Sequence, residues 1–198
     1  MTEQTRTIAN LVLTLDGRVC GPAGPNDMSC IAPYAVSDVA RANLVRMTEA
    51  SVALLGRVNY QGFGSWWPAV ARDESADPRD RAFARWLDGV EKVVFTSTLD
   101  TLDWQNSRRA EGGPAEEVRR LRASATGDIR ILSSVSIIRQ LLAADELDRL
   151  ELTLAPEVIG GGPRLFDDGV LPASRWQASS AVVSPVGATH LSLDRVRW

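Results

Sequence analysis

Residues 51–60 read SVALLGRVNY, and this decamer decides the fold. Residues 51–55 are short, apolar and free of alternation, the pattern of a strand buried on both faces. Gly56-Arg57 ends the strand, and a helix is expected from Val58 onward, kept short near Phe63 by Gly62, Gly64 and Pro68. A buried strand that enters a helix through glycine brings backbone N–H groups, the positive end of the helix and a guanidinium to one point. That geometry binds anions, phosphate above all. A turn glycine beside a surface arginine is the competing reading of the same two residues.

Working outward, strands and helices alternate. Residues 7–15 (TIANLVLTL) predict a first buried strand, with Asp16-Gly17 as its turn, and 21–33 form a long Gly- and Pro-rich loop of the kind that usually serves function. Ser37-Asp38 can cap a helix running to Ala50. Further helices are expected at 80–87, 114–123 and 134–144, and further strands at 92–96, 129–132 and 150–154. Such alternation implies an α/β protein: a largely parallel sheet with helices on both faces, and function at the C-terminal strand ends. Residues 176–183 and 190–196 instead alternate about Pro185-Val186-Gly187, an antiparallel hairpin closing the sheet edge. With no repeat, low-complexity tract or linker, residues 1–198 read as one domain.

Composition narrows the function. The 198 residues are 44% hydrophobic and 24% charged with a formal net charge of -3, which is ordinary globular usage without a basic footprint for nucleic acid. Lys92 is the only lysine and His190 the only histidine, so Schiff-base and Ser-His-Asp chemistry are disfavoured; Cys20 and Cys30 lack metal-site spacing. No metal is expected. The stretch 1–8 is polar and no apolar run reaches membrane-spanning length, pointing to a cytoplasmic protein with no membrane partner. In the closing hairpin, His190 alternates with Leu191 and Leu193, which suggests that it is exposed.

Three motifs in order resemble the dihydrofolate reductase superfamily, most closely the branch similar to the C-terminal reductase domain of bacterial bifunctional riboflavin-biosynthesis deaminase-reductases. Thr14-Leu15-Asp16-Gly17-Arg18 is similar to the family's strand-turn signature, and Leu54-Leu55-Gly56-Arg57-Val58-Asn59-Tyr60 to its phosphate motif. Leu147 to Leu152, Ala155-Pro156 and Gly160-Gly161-Gly162-Pro163-Arg164-Leu165-Phe166 resemble its third. The resemblance spans nearly the whole chain. It implies a three-layer α/β/α dihydrofolate-reductase-like fold, NADPH as cofactor, a homodimer and a small-molecule substrate.

Carried over residue by residue, the resemblance places Thr14, Gly56, Arg57, Asn59, Thr96, Ser97, Ser133, Ser134, Val135 and Ser136 against the cofactor. Ser133-Ser134 stands where the family has Gly-Gly, so a side chain replaces open space, although a helix N-terminus with Ser134 as its cap would still face the pyrophosphate. Asn59 replaces a threonine. Asp16, at the cleft mouth, and Asp38, on the first helix, are the candidate catalytic acids; a turn role for Asp16 and a cap role for Asp38 compete. Tyr60, Gly161 and Phe166 are the candidate substrate contacts, with Phe166 as a buried anchor behind a glycine loop. Tyr60, Phe63, Trp66 and Trp67 form an aromatic cluster suited either to packing or to ring stacking. The expected function is NADPH-dependent hydride transfer to a pyrimidine- or pteridine-like substrate. The alternative is a non-catalytic small-molecule-binding protein on the same fold.

Overall fold

A computed structural model describes residues 5–166 and 171–197; the first four residues of the polar N-terminal stretch lie outside it. The sheet is organised on β1 (Thr7–Thr14). Its first half, from Thr7 to Asn10, pairs in parallel with β5 (Ile129–Leu132), while Ile8 to Thr14 pair in parallel with β6 (Arg149–Ala155). Beyond β5 lie β2 (Val52–Gly56), β3 (Glu91–Phe95) and the short β4 (Ser107–Arg109), all parallel. Beyond β6, the hairpin of β7 (Arg175–Val183) and β8 (Thr189–Val196) is antiparallel, giving the order β4-β3-β2-β5-β1-β6-β8-β7.

Side-chain alternation sends the two sheet faces to different helices. Ala9, Leu11 and Leu13 of β1, with Val52, Leu54, Ile129 and Ile131, pack under α5 (Pro114–Arg122) and α6 (Val135–Ala143). Ala53, Leu55 and Val94 face the other way, onto α2 (Asp38–Met47), α3 (Arg57–Val70) and α4 (Pro78–Gly89). The result is the expected three-layer α/β/α arrangement with a mostly parallel sheet. Among the described residues, no helix is long and apolar enough to cross a membrane.

Four local expectations are corrected. The helix after Gly56 does not stop near Phe63 but runs to Val70 through Gly62, Gly64 and Pro68. Packing outweighs the breakers: Tyr60 lies 6.1 Å from the Trp104 ring and Trp67 4.8 Å from Phe83. The long loop contains a short helix, α1 (Ala32–Ala35), and the sheet gains β4, whose sequence SRR has no apolar signal. His190 is 2% exposed instead of open to solvent, because β8 turns its polar side chains, not its leucines, toward α2.

Lys92, on β3, is buried and caps α4 from outside the helix. Its Nζ donates to the carbonyls of Leu87, Asp88 and Val90 at 2.7, 3.2 and 2.8 Å and stands 4.9 Å from the Trp104 ring. These are carbonyls that the end of α4 leaves without intrahelical partners. Burial pushes the ammonium down to about 8. Lys92→Met keeps the volume but removes the donors, so urea unfolding at neutral pH should show a loss of about 1–3 kcal/mol.

Ser133, between β5 and α6, has φ 52°, a left-handed conformation that favours glycine. A serine thus holds a backbone conformation suited to glycine. Ser133→Gly should raise the unfolding midpoint, by up to about 1 kcal/mol of stability, since relief of the left-handed strain exceeds the entropy that glycine adds to the unfolded chain.

Candidate functional site

The unequal pairing of β1 opens a cleft. β5 ends beside Asn10, where the Ser133 N–H donates to the Asn10 carbonyl at 2.9 Å, while β1 continues to Thr14. Into the resulting space, of about 1400 Å³, face the N-termini of α3 and α6, residues 96–98 beyond β3, one side of α2 and part of the 21–33 loop.

The two helix N-termini are alike in one respect. Gly56, the residue before α3, has no side chain to cap it, and Ser134, the residue before α6, makes no capping bond. The expected cap is replaced by a bridge: the Ser134 hydroxyl accepts from the Gly56 N–H at 2.9 Å and donates to the Leu132 carbonyl at 3.0 Å. It ties the ends of β2 and β5 together and leaves the first amides of both helices without a side-chain cap, facing the cleft. Arg57, at the start of α3, is exposed and donates to Gln61 at 3.0 Å.

Gly56, Arg57, Asn59, Thr96, Ser97, Ser133, Ser134, Val135 and Ser136 all line this space. Thr96 spends its hydroxyl on its own turn, accepting from the Thr98 and Leu99 amides, each at 3.2 Å. Thr14 lies apart. It is fully buried, its hydroxyl donates to Asp16 at 2.6 Å and accepts from the Arg18 N–H at 3.0 Å, and it does not reach the cleft.

Neither candidate acid is among the lining residues. The Asp16 carboxylate accepts from Thr14, from Arg18 and from the amides of Ile159 and Gly160, fastening the loop after β6 to the end of β1. The Thr14 hydroxyl, followed by those amides and the Arg18 guanidinium, outweighs burial and holds it well below the usual carboxylate range; it stays ionised at neutral pH. Asp38 has a side chain 70% exposed and pairs with Arg79 at 3.0 Å.

The substrate contacts also move. Tyr60 is buried outside the cleft, its hydroxyl accepting from the Trp104 amide at 2.9 Å. Gly161 packs on Pro22 and is not a lining residue; the neighbouring Pro163 is. Leu165, not Phe166, is the buried anchor, and Phe166 is 47% exposed. Of the aromatic cluster, Phe63, Trp66 and Trp67 face the cleft.

At its closed end the cleft is floored by Asn10, Asn43 and Thr153, none of which stood out in the sequence. Asn43 donates through Nδ2 to Asn10 Oδ1 and accepts at Oδ1 from Arg46 at 3.4 Å. Behind Thr153 lies a buried polar group. Thr153 Oγ1 is 3.1 Å from His190 Nδ1, and His190 Nε2 is 2.8 Å from Glu151 Oε2, which also accepts from Ser192 at 2.6 Å. Burial alone would raise the Glu151 pKa, but the bonds from His190 and Ser192, with the charge of Arg130, bring it below its ordinary value. The strand residues alternate polar and apolar, a signal that conventional reading assigns to a solvated face.

Comparison with known proteins now bears on this geometry. The RibD C-terminal domain profile matches residues 6–189. Uncharacterized protein YyaP of Bacillus subtilis (strain 168) is 26% identical over 166 residues, 84% of this chain and 82% of its own. A putative riboflavin biosynthesis protein from Shewanella sp. PV-4 superposes with a TM-score of 0.70 at 18% identity, covering 98% of this chain and all of that one. Dihydrofolate reductase from Enterococcus faecalis, complexed with NADP(H), superposes with a TM-score of 0.60 at 15% identity over the whole of both chains. These likenesses give the fold as dihydrofolate-reductase-like, and the profile match over nearly the full length gives the lineage: the chain belongs to the RibD C-terminal domain family.

Proposed function

We propose that this chain is an NADPH-dependent reductase that transfers a hydride to a small pyrimidine- or pteridine-like substrate. The observation that carries this reading is the pair of helix N-termini, without side-chain caps, that converge on one cleft around Gly56. Gly56 has ordinary extended dihedrals, φ -78° and ψ 161°, so its backbone conformation does not demand glycine. A Cβ added there would meet nothing closer than the Ser134 hydroxyl at 3.6 Å, so packing does not demand it either. A ligand whose phosphates lie against the backbone explains the residue.

In this reading the first amides of α3 and α6 hold the pyrophosphate, Arg57 grips the ribose 2'-phosphate beside Ser97, and Asn59, which also lines the cleft, offers an amide donor to the cofactor. NADPH, when bound, supplies the hydride. Phe63, Trp66 and the 21–33 loop exclude water from the reacting rings. Lineage and the NADP(H)-binding structural neighbour support a reductase over a non-catalytic binding protein.

Arg57→Ala should weaken NADPH about tenfold to a hundredfold, the worth of a charge-assisted bond of roughly 1.5–3 kcal/mol, and NADH much less. Paired tryptophan-fluorescence titrations with the two cofactors, at low and high salt, read this directly. Equal losses would move Arg57 to the pyrophosphate, and no cofactor binding by the unmutated protein would end the reductase reading. Hydrogen exchange should show residues 21–33 gaining protection with NADPH, because Pro25, Asn26, Met28 and Ile31 already line the cleft.

We assign the exposed apolar surface to a homodimer contact. Val182, Val183 and Val186 project from the terminal hairpin, and β7 is the edge strand of the sheet. Light scattering should return twice the 21.5 kDa chain mass, and a monomer at high micromolar concentration would refute the contact.

A further inference from the structure

The closed end of the cleft carries two hydrogen-bond chains of opposite polarity. The first starts at Arg46, which can only donate. Arg46 Nη2 faces Asn43 Oδ1, so the Asn43 amide nitrogen is the atom turned to Asn10 Oδ1, and Asn10 is left to present its own N–H groups. The second starts at Glu151, which as a carboxylate can only accept. It takes one hydrogen from Ser192 and one from His190 Nε2; with Nε2 protonated, the bare Nδ1 accepts from the Thr153 hydroxyl, and Thr153 presents its oxygen lone pairs. Asn10 and Thr153 stand on neighbouring parallel strands, in a register that pairs Asn10 with Glu151 and Val12 with Thr153, and both line the cleft.

We propose that His190 and Glu151 are positioning residues that fix the Thr153 hydroxyl as a hydrogen-bond acceptor, so that Thr153 and Asn10 together read the adjacent N–H and C=O of a lactam edge on the substrate ring. This rests on the reductase reading for the identity of the cleft and adds what its closed end selects. Thr153 takes the ring N–H and Asn10 gives to the ring carbonyl. The substrate class is a neutral cyclic amide, in keeping with a floor whose lining side chains are amide and hydroxyl.

The charges around His190 support this tautomer. Arg46 Nη2, from α2, lies 3.0 Å from Nε2; Arg149, on β6, reaches the other Glu151 oxygen at 3.8 Å; Arg130, on β5, faces the same carboxylate. With Arg149 and Arg130 turned toward it, Glu151 is ionised. If Arg46 donated into a bare Nε2, that lone pair would stand 2.8 Å from an ionised oxygen, a repulsive contact. Arg46 is therefore the counter-charge beside the pair, and the ring hydrogen belongs to Glu151.

The test uses the full chain and a simple bicyclic lactam, carbostyril, against its N-methyl derivative, which keeps the carbonyl and loses the donor. Dissociation constants are read by ligand-detected NMR with and without saturating NADPH, and NADPH affinity is measured separately. The unmutated protein should prefer carbostyril by about tenfold, the worth of one buried hydrogen bond to a fixed acceptor. Thr153→Val should abolish the preference and Thr153→Ser should keep it. Glu151→Gln can donate to Nε2, move the ring hydrogen to Nδ1 and turn the Thr153 hydroxyl outward; the preference should then vanish or reverse with NADPH affinity unchanged. A purely structural Glu151 would weaken both ligands alike. Lack of preference in the unmutated protein, or a preference retained in either Thr153→Val or Glu151→Gln, overturns the proposal. Should Glu151→Gln not fold, the two Thr153 variants decide. Failure of NADPH to bind would sink the reductase reading alone, since the lactam titrations without cofactor still report the polarity of the floor.

Discussion

The constraint on which the structure rests is that β1 is paired unequally, with a four-residue strand on one side and a seven-residue strand on the other. A parallel sheet normally buries both edges of each inner strand along its length. Here β5 gives out beside Asn10, and the remaining half of β1 has a neighbour only in β6. The chain leaving β5 must turn at once, which it does through the left-handed Ser133, and the Ser134 hydroxyl then secures the turn to the end of β2. Two helices are thereby aimed at one gap. Their dipoles cannot be neutralised by their own caps without closing the site, so the positive potential there follows from the topology.

On the α2 side of β6 and β8 the usual arrangement is reversed. Glu151, Thr153, His190 and Ser192 are buried, whereas Leu191 and Leu193 on the opposite face of β8 are only partly covered. Burying such groups costs several kcal/mol unless each is partnered, and here the partners come from within the cluster and from Arg46. A cluster of this kind is intolerant of single changes because every bond fixes the direction of the next. That makes it a poor way to fill a core and a good way to hold a hydroxyl in one orientation.

Much of the frame was legible in the sequence. Runs rich in apolar residues at 7–15, 51–55, 92–96, 129–132 and 150–154 fall on β1, β2, β3, β5 and β6, because a strand covered on both faces draws most of its side chains from that class. Gly56 and its flanks led to the cleft because strand, glycine and helix are consecutive. What escaped the reading depends on contacts far apart in the chain. β4 exists through its register with β3 and the pairing of Arg108 with Glu91, and α3 outlasts Pro68 through packing on Phe83. The polar strands at the floor look, residue by residue, like a solvated hairpin, and only the position of α2 over them says otherwise. Ser134 was expected to cap α6, and no local rule could show that the Gly56 amide, seventy-eight positions earlier, would take its hydroxyl instead.

The fate of the two aspartates shows why a motif and a role can part. Asp-Gly after β1 makes a turn, with Gly17 at φ 77°, and its carboxylate then finds the amides at 159–160 within reach. Once it accepts from those donors and from Thr14, protonation would break the clasp that holds the loop after β6, so the carboxylate is committed to its charge. Arg18 completes the clasp through the carbonyls of Gly160 and Gly162, and Gly162 itself admits no side chain, since a Cβ would sit 2.3 Å from the Cys20 carbonyl. The loop at 160–162 and the beginning of the 21–33 loop are therefore one mechanical unit fastened by Asp16. A change at Asp16 would reach the cleft by releasing this unit.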